Sequence, residues 1–394
     1  MTFDFDTPVE RRGTDSIKWN VGEDEIPMWV ADMDFKTAPA VVRAVTQRAE
    51  NGVFGYESFP ENWYDAYIGW WERRHGFHME RDWLRFSTGV IPAISAAVGV
   101  LTQPGDSVAL LSPVYNSFFS LIRNSGRQVS EVPMKRTREN GALSYMIDFD
   151  ALDAALEEER TKVLIFCNPH NPTGKLWEKS VMEKIGLLCE KYGVTVLSDE
   201  IHCDITDPEK RVLPFAAASE INLWITATFL APTKAFNLMG LQTAAVAAAD
   251  PALRKKIFDA LGDLANPNAF ACTAAVAAYT EGKAWLDALN RYIRANKDRV
   301  TEFLKVECPA LEAVPSEATY LMWIRTSAAA PSSDHLHRFL RKNAGLFVCP
   351  GTWYRGDGAD FIRFNTGCPR SQLDEALLRL KSGLERYSPD AQVD

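Results

Sequence analysis

Four short apolar runs constrain this chain more than any other feature of its sequence. They are Ser107–Leu111 (SVALL), Lys162–Cys167 (KVLIFC), Val194–Leu197 (VTVL) and Leu223–Thr228 (LWITAT), rich in β-branched residues and without alternation of apolar and polar positions. A strand with one wet face alternates, so runs of this kind belong to strands covered on both faces. Helix-period segments lie between them. In Ser180–Gly193, Ile185, Leu188, Cys189 and Tyr192 recur at helical spacing, Ser180 and Glu183 form a capping-box pattern, and Gly193 supplies a stop. Asp150–Glu159, after Tyr145–Phe149, carries Leu152, Ala155 and Leu156 on one side. Strand and helix in alternation predict an α/β fold with a mostly parallel, doubly wound sheet.

Past this region the pattern changes. Trp285, Leu289, Tyr292, Ile293, Val300, Phe303 and Leu304 predict one long amphipathic helix, Ala318–Ile324 (ATYLMWI) a strand, and Leu373, Leu377, Leu380, Leu384 and Tyr387 a closing helix from Ser371. Pro39–Glu50 reads as a further helix. The expected organisation is a large domain over 51–284 and a smaller α/β domain from 1–50 and 285–394.

Several function classes lose support. A net charge of −9 gives no basic footprint for nucleic acid or an anionic membrane. Apolar runs such as Ala93–Leu101 are too short to span a bilayer, and MTFDFDTPVE lacks the basic, apolar plan of a leader, so a cytoplasmic protein is expected. Seven scattered cysteines without a C-x-x-C pair read as reduced thiols rather than a metal site. His335 and His337, two apart on a helix, do not share a face. No G-x-G-x-x-G follows a strand, which removes the nicotinamide reading. Trp63, Tyr67, Trp70 and Trp71 read as core or dimer packing.

In an open parallel sheet, ligands bind beyond the carboxyl ends of the strands. Here KVLIFC leads into Asn168-Pro-His-Asn-Pro-Thr-Gly174, VTVL into Ser198-Asp-Glu-Ile-His202, and LWITAT into Phe229-Leu-Ala-Pro-Thr-Lys234. These loops resemble those of fold-type I pyridoxal-5′-phosphate (PLP) enzymes, the class I/II aminotransferase superfamily. Met28-Trp-Val-Ala-Asp-Met-Asp-Phe35, NPHNPTG, SDEIH and APTKAFNLMGL together are similar to the MalY/PatB group of cystathionine β-lyases, or C-S lyases.

The resemblance implies a role for each site residue. Lys234 would condense with the cofactor aldehyde, for which a desolvated amine is suited. Asp199 would keep the pyridine nitrogen protonated. Asn171 would donate to the ring's phenolic oxygen, with His202 where many relatives have a tyrosine, and Tyr115 would stack on the ring. Gly89, Val90 and Ile91, at a helix start with Pro92 in its first turn, would offer amides to the phosphate. Thr233 and Thr228 would add hydroxyls, while Gln242 stands where the superfamily often has an arginine. Tyr56 would reach the phosphate of a neighbouring subunit, which implies a homodimer with shared sites. Arg363 would bind the substrate α-carboxylate, with Arg370 as the competing candidate. Asp32 and Asp34 have no assigned role. The implied activity is β-elimination from a small amino acid, L-cystathionine or a related thioether, giving thiol, pyruvate and ammonia. The alternatives are an aminotransferase built on the same residues, and a regulatory or binding protein that retains the fold.

Overall fold

The computed structural model describes residues 3–262 and 266–393. Its central sheet has seven strands in the order Leu84–Ser87, Ala244–Ala248, Thr226–Leu230, Thr195–Asp199, Thr161–Cys167, Ser107–Ser112 and Gln128–Pro133. Ala244–Ala248 is antiparallel to both its neighbours, and the other pairings are parallel. The apolar runs are strands because both faces are covered. Val163, Ile165 and Leu197 pack with Val90, Ala93, Ile94 and Ala97 on one side. Leu164, Phe166 and Val196 pack with Met182, Ile185 and Cys189 on the other. Trp63, Tyr67, Trp70 and Trp71 lie buried along helix Glu61–His75, in the core.

A second, antiparallel sheet takes Glu312–Ala313, Leu321–Arg325, Phe361–Asn365 and Cys349–Pro350 in that order. Helix Lys283–Glu307, 25 residues long, leads to it, and helix Arg370–Glu385 packs against its core through Leu373, Leu377 and Leu380. The N-terminal segment joins this part of the fold, Ile26–Pro27 running parallel to Leu346–Phe347. Helix Pro39–Glu50 packs instead on helix Ala271–Glu281.

Three local expectations are corrected. LWITAT is not one strand: Ser219 caps a short helix, Glu220–Ile225, its Oγ accepting from the Asn222 N–H at 3.1 Å, and the strand starts at Thr226. Apolar content is the same in either state, so periodicity does not separate the two. Ser180 is not a helix cap, because the helix starts at Lys179 and places Ser180 inside its first turn, with Glu178 at the cap. In ATYLMWI the strand begins only at Leu321, since Thr319 takes a left-handed φ of 64° and its Oγ1 accepts from the Leu321 N–H at 3.1 Å.

Candidate active site

Asp199 is the last residue of its strand, and the loops with Asn171 and Lys234 leave the two strands flanking it. Three adjacent parallel strands therefore deliver three polar side chains to one end of the sheet. They line a pocket of about 210 Å3 together with Tyr115, His202, Thr233, Gly89, Val90 and Ile91. Larger cavities exist, but none gathers titratable groups of both signs at the strand ends, which is the better mark of a site.

Lys234 is half-buried, and its Nζ donates to Ala31 O at 2.5 Å. Burial, aided by the Arg363 charge, lowers its amine to about 8, against the opposite pull of Asp32 and Asp199. A nucleophilic fraction of free amine thus exists near neutral pH. Burial raises the Asp199 carboxyl to about 6, tempered by the Ile201 N–H donating to Oδ1 at 3.1 Å and by the Lys234 charge. Burial, then the charges of Lys234 and Arg363, holds the His202 imidazole well below its ordinary value, so it is neutral.

Arg363 lies in the middle of strand Phe361–Asn365, buried, with its guanidinium over the Tyr354 ring at 5.0 Å. Nη1 donates to Asn171 Oδ1 at 3.2 Å and Nη2 to Trp29 O at 2.9 Å, leaving Nε buried without a partner. Neither arginine lines the pocket itself, but Arg363 is bonded to Asn171, which does, whereas Arg370 starts helix Arg370–Glu385. The orphan donor beside Asn171 makes Arg363 the arginine that can receive a carboxylate.

The residues fit a phosphorylated, ring-bearing cofactor. Helix Val90–Leu101 starts at the pocket, and among the described residues no acceptor takes the N–H groups of Val90 and Ile91. Unfilled amides at the start of a twelve-residue helix suit an anion. His202 Nδ1 is also buried without a partner. Gln242 lines the same pocket in a left-handed conformation, φ 53°, and adds no charge. Thr228 is buried in its strand and does not line the pocket, nor does Tyr56, which is fully exposed.

The sequence reading missed the strap that closes this site. Backbone carbonyls of Trp29 and Ala31 hold Arg363 and Lys234, and Tyr320 OH also donates to Ala31 O at 2.9 Å. Asn365 Nδ2 donates to Val30 O and Asp32 O, and Asn237 Nδ2 to Met33 O. Asp34 anchors the strap from behind, accepting from Lys18 Nζ and Arg11 Nη1 at 2.7 Å, Trp19 Nε1 at 2.8 Å and Gln372 Nε2 at 2.9 Å. Burial alone would raise the Asp34 carboxyl, but Lys18 and Arg11 outweigh it and keep it below the ordinary range. Asp32 pairs with Arg11 at 2.8 Å. Asn365 and Asn237 could have been found from their polarity within apolar surroundings; backbone acceptors leave no sequence signal.

Glu200, behind Asp199, is held at about 8 by burial, although Ser198 Oγ and the Phe215 N–H donate to Oε1 at 2.9 and 2.8 Å. Its folded value lies above the ordinary 4.5, so the native state retains a proton that the unfolded chain releases. The stability it contributes is complete below about pH 4.5 and is lost as pH rises towards 8. Thermal melts of Glu200→Gln across that range should fall less with pH than those of the parent, the difference reaching the order of a few kcal/mol.

The comparisons with known proteins agree with this geometry. The family model described as Aminotransferase class I and II matches residues 23–380. The chain is 39% identical over 388 residues to the Bacillus subtilis (strain 168) protein named cystathionine beta-lyase PatB, covering 96% of this chain and 99% of that protein. Among solved structures, a PLP-bound putative aminotransferase from Clostridium difficile 630 matches with a TM-score of 0.93 at 34% identity, covering 97% of this chain and all of the other. The PLP-bound C-S lyase from Staphylococcus hominis matches with a TM-score of 0.91 at 31% identity, over 98% and 99% of the two chains.

Proposed function

The chain belongs to the class I and II aminotransferase family, and from that premise we propose that it is a PLP-dependent lyase cleaving the carbon–sulfur bond of L-cystathionine or a related cysteine thioether. The products are a thiol (homocysteine from cystathionine), pyruvate and ammonia. One observation carries this reading: Lys234, Asp199, Asn171 and His202 converge on a single pocket, with the free Nε of Arg363 beside Asn171. The full-length likeness to the Bacillus subtilis lyase favours elimination over amino-group transfer.

Bound in this pocket, PLP would supply an aldehyde reactive towards amines and a ring that withdraws electrons from the substrate α-carbon. Arg363 holds the α-carboxylate through Nε and a terminal nitrogen. Lys234 takes the α-proton at Nζ, an amine whose lowered value suits a base near neutral pH. The C–S bond then breaks, the thiol leaves from the β-carbon, and the released enamine hydrolyses to pyruvate and ammonia. Asp199 would keep the ring nitrogen protonated, Asn171 and neutral His202 would donate to the phenolic oxygen, and Tyr115 would cover the ring. The amides of Gly89, Val90 and Ile91 would hold the phosphate with the Thr233 hydroxyl.

Purified protein incubated with L-cystathionine should release pyruvate and free thiol in equal amounts without any keto acid. Strict dependence on a keto acid would mean an aminotransferase, and absence of turnover with any amino acid would mean a binding protein.

The functional unit in this reading is a homodimer. Tyr56 stands fully exposed near exposed Val53 and Phe54, available to a second copy and not lining its own pocket. Sedimentation should give twice 44.1 kDa. Tyr56→Phe, which removes one hydroxyl, should weaken cofactor binding by about tenfold without changing that mass. The two-domain division, 51–284 against 1–50 with 285–394, accords with the separation of the two sheets, with helix Pro39–Glu50 seated across the boundary on Ala271–Glu281. No helix among the described residues is long and apolar enough to cross a membrane. The seven buried free cysteines accord with a cytoplasmic location.

A further inference from the structure

Away from the Lys234 pocket lies a larger cavity of about 670 Å3, between the last turn of helix Glu61–His75, the loop over 206–212 and the start of helix Lys283–Glu307. Six cationic side chains line it, Arg73, Arg74, Lys210, Arg211, Lys283 and Arg291, against one lining carboxylate, Asp287. In a chain of net charge −9 this is a local reversal of sign, and a cleft lined by one sign of charge concentrates counter-ions.

Part of that charge is structural. Arg74 pairs with Asp204 at 3.1 Å and Asp287 at 2.9 Å, Lys283 with Asp287 at 2.6 Å, and Lys210 with Glu317 at 2.6 Å. Cations also complement the C-terminal turn of a helix. Ion pairing thus leaves Arg73, Arg211 and Arg291, of which Arg73 lies in the last turn of helix Glu61–His75. All three are exposed around the cavity, and none pairs with a carboxylate among the described residues. Arg73 makes only a 3.5 Å contact with Tyr279 O.

The floor is polar but unsuited to a metal. The ligand atoms of His75, Cys203 and Asp204 lie within 4.8 Å of one another. Asp204, however, already accepts from Trp70 Nε1 at 3.0 Å, lies 3.0 Å from His75 Nε2, and faces the Arg74 guanidinium, which would repel a cation. Two other floor atoms, His75 Nδ1 and Asn290 Oδ1, are buried without hydrogen-bond partners. Asn290 Oδ1 accepts only, as does His75 Nδ1 when Nε2 donates to Asp204, so these two atoms suit a donor such as a hydroxyl on the ligand's organic body rather than its phosphate.

We propose that this groove binds a small phosphate-bearing molecule with at least two negative charges. Guanidinium forks match phosphate oxygens bidentately, which lysines do not. The volume lies in the range of small-molecule sites, and the stacked rings of Trp70 and Tyr279, 5.0 Å apart, offer an apolar wall for an organic body. The site is distinct from the cofactor's phosphate cup, because the linings of the two cavities share no residue.

The test uses PLP-loaded protein, so that the phosphate cup is filled. Calorimetric titration with inorganic pyrophosphate should give saturable binding, tighter than inorganic phosphate or citrate, beyond the response to sodium chloride of matched ionic strength. Combining Arg73→Gln, Arg211→Gln and Arg291→Gln should raise the pyrophosphate Kd by about tenfold or more. Melting temperature and cystathionine turnover should stay at the parent values, which shows that the variant is folded. Citrate binding as tightly as pyrophosphate would overturn the phosphate assignment. No saturable heat with pyrophosphate, or an unchanged Kd in the triple variant, would overturn the site itself.

Discussion

Lys234→Ala is expected to lower turnover of L-cystathionine by about 10⁴-fold or more, because in the proposed reading one substitution removes both the nucleophile that captures the cofactor and the base that takes the α-proton. The pocket has no ready substitute. His202 is a weak base, its imidazole held well below the ordinary range by burial, and Asp199 lies in the same pocket but is proposed as the ring's counter-charge. Lys234→Arg distinguishes chemistry from structure. It keeps a cation able to donate to Ala31 O, so the strap should stay in place and the melting temperature should change little, yet a guanidinium is not deprotonated near neutral pH and turnover should remain lost. Pyruvate release measures the first effect. Borohydride reduction followed by peptide mass analysis should label Lys234 in the parent and no residue in either variant; full turnover in Lys234→Ala would refute the assignment.

Arg363→Ala is expected to lower kcat/KM by about 10²-fold, chiefly through KM, as two charge-assisted hydrogen bonds worth together about 3 kcal/mol are lost. The substitution also strips Asn171 Oδ1 and Trp29 O of their donor, so a loss of stability should accompany it. Arg363→Lys keeps the charge without the fork and should recover only part of the affinity. Arg370→Ala should leave both constants near the parent values, since Arg370 begins a helix and, unlike Arg363, makes no side-chain bond to a pocket residue among the described residues. Steady-state kinetics on the three variants check this order. A KM for Arg370→Ala as high as that for Arg363→Ala would reverse the choice between the two arginines.

Much of the site was legible because its parts are local. A buried strand followed by Asn, Asp or Lys is a pattern within about ten residues, and the sheet brings such strand ends together whatever happens elsewhere. Gly89 and Pro92 likewise announce a helix start that the structure places at the pocket. The errors were local as well. LWITAT and ATYLMWI each join an apolar run that a cap at Ser219 or a left-handed Thr319 divides, and hydrophobicity carries no trace of that division.

The chain's own pattern of apolar runs and helix-period segments determined the doubly wound sheet, and the residues just past its strands determined where Lys234, Asp199 and Asn171 would meet. Tertiary structure alone decided the contacts that cross the chain. Lys234 meets Ala31 O across 203 positions and Arg363 meets Asn171 across 192, while Asp34 collects donors from residues as far apart as Arg11 and Gln372. The same is true of the basic groove, whose arginines come from three separate segments. The physical reason is range: secondary structure follows from neighbours a few residues away, whereas a backbone carbonyl or an unpaired guanidinium acquires its role only when packing brings distant segments within about 3 Å.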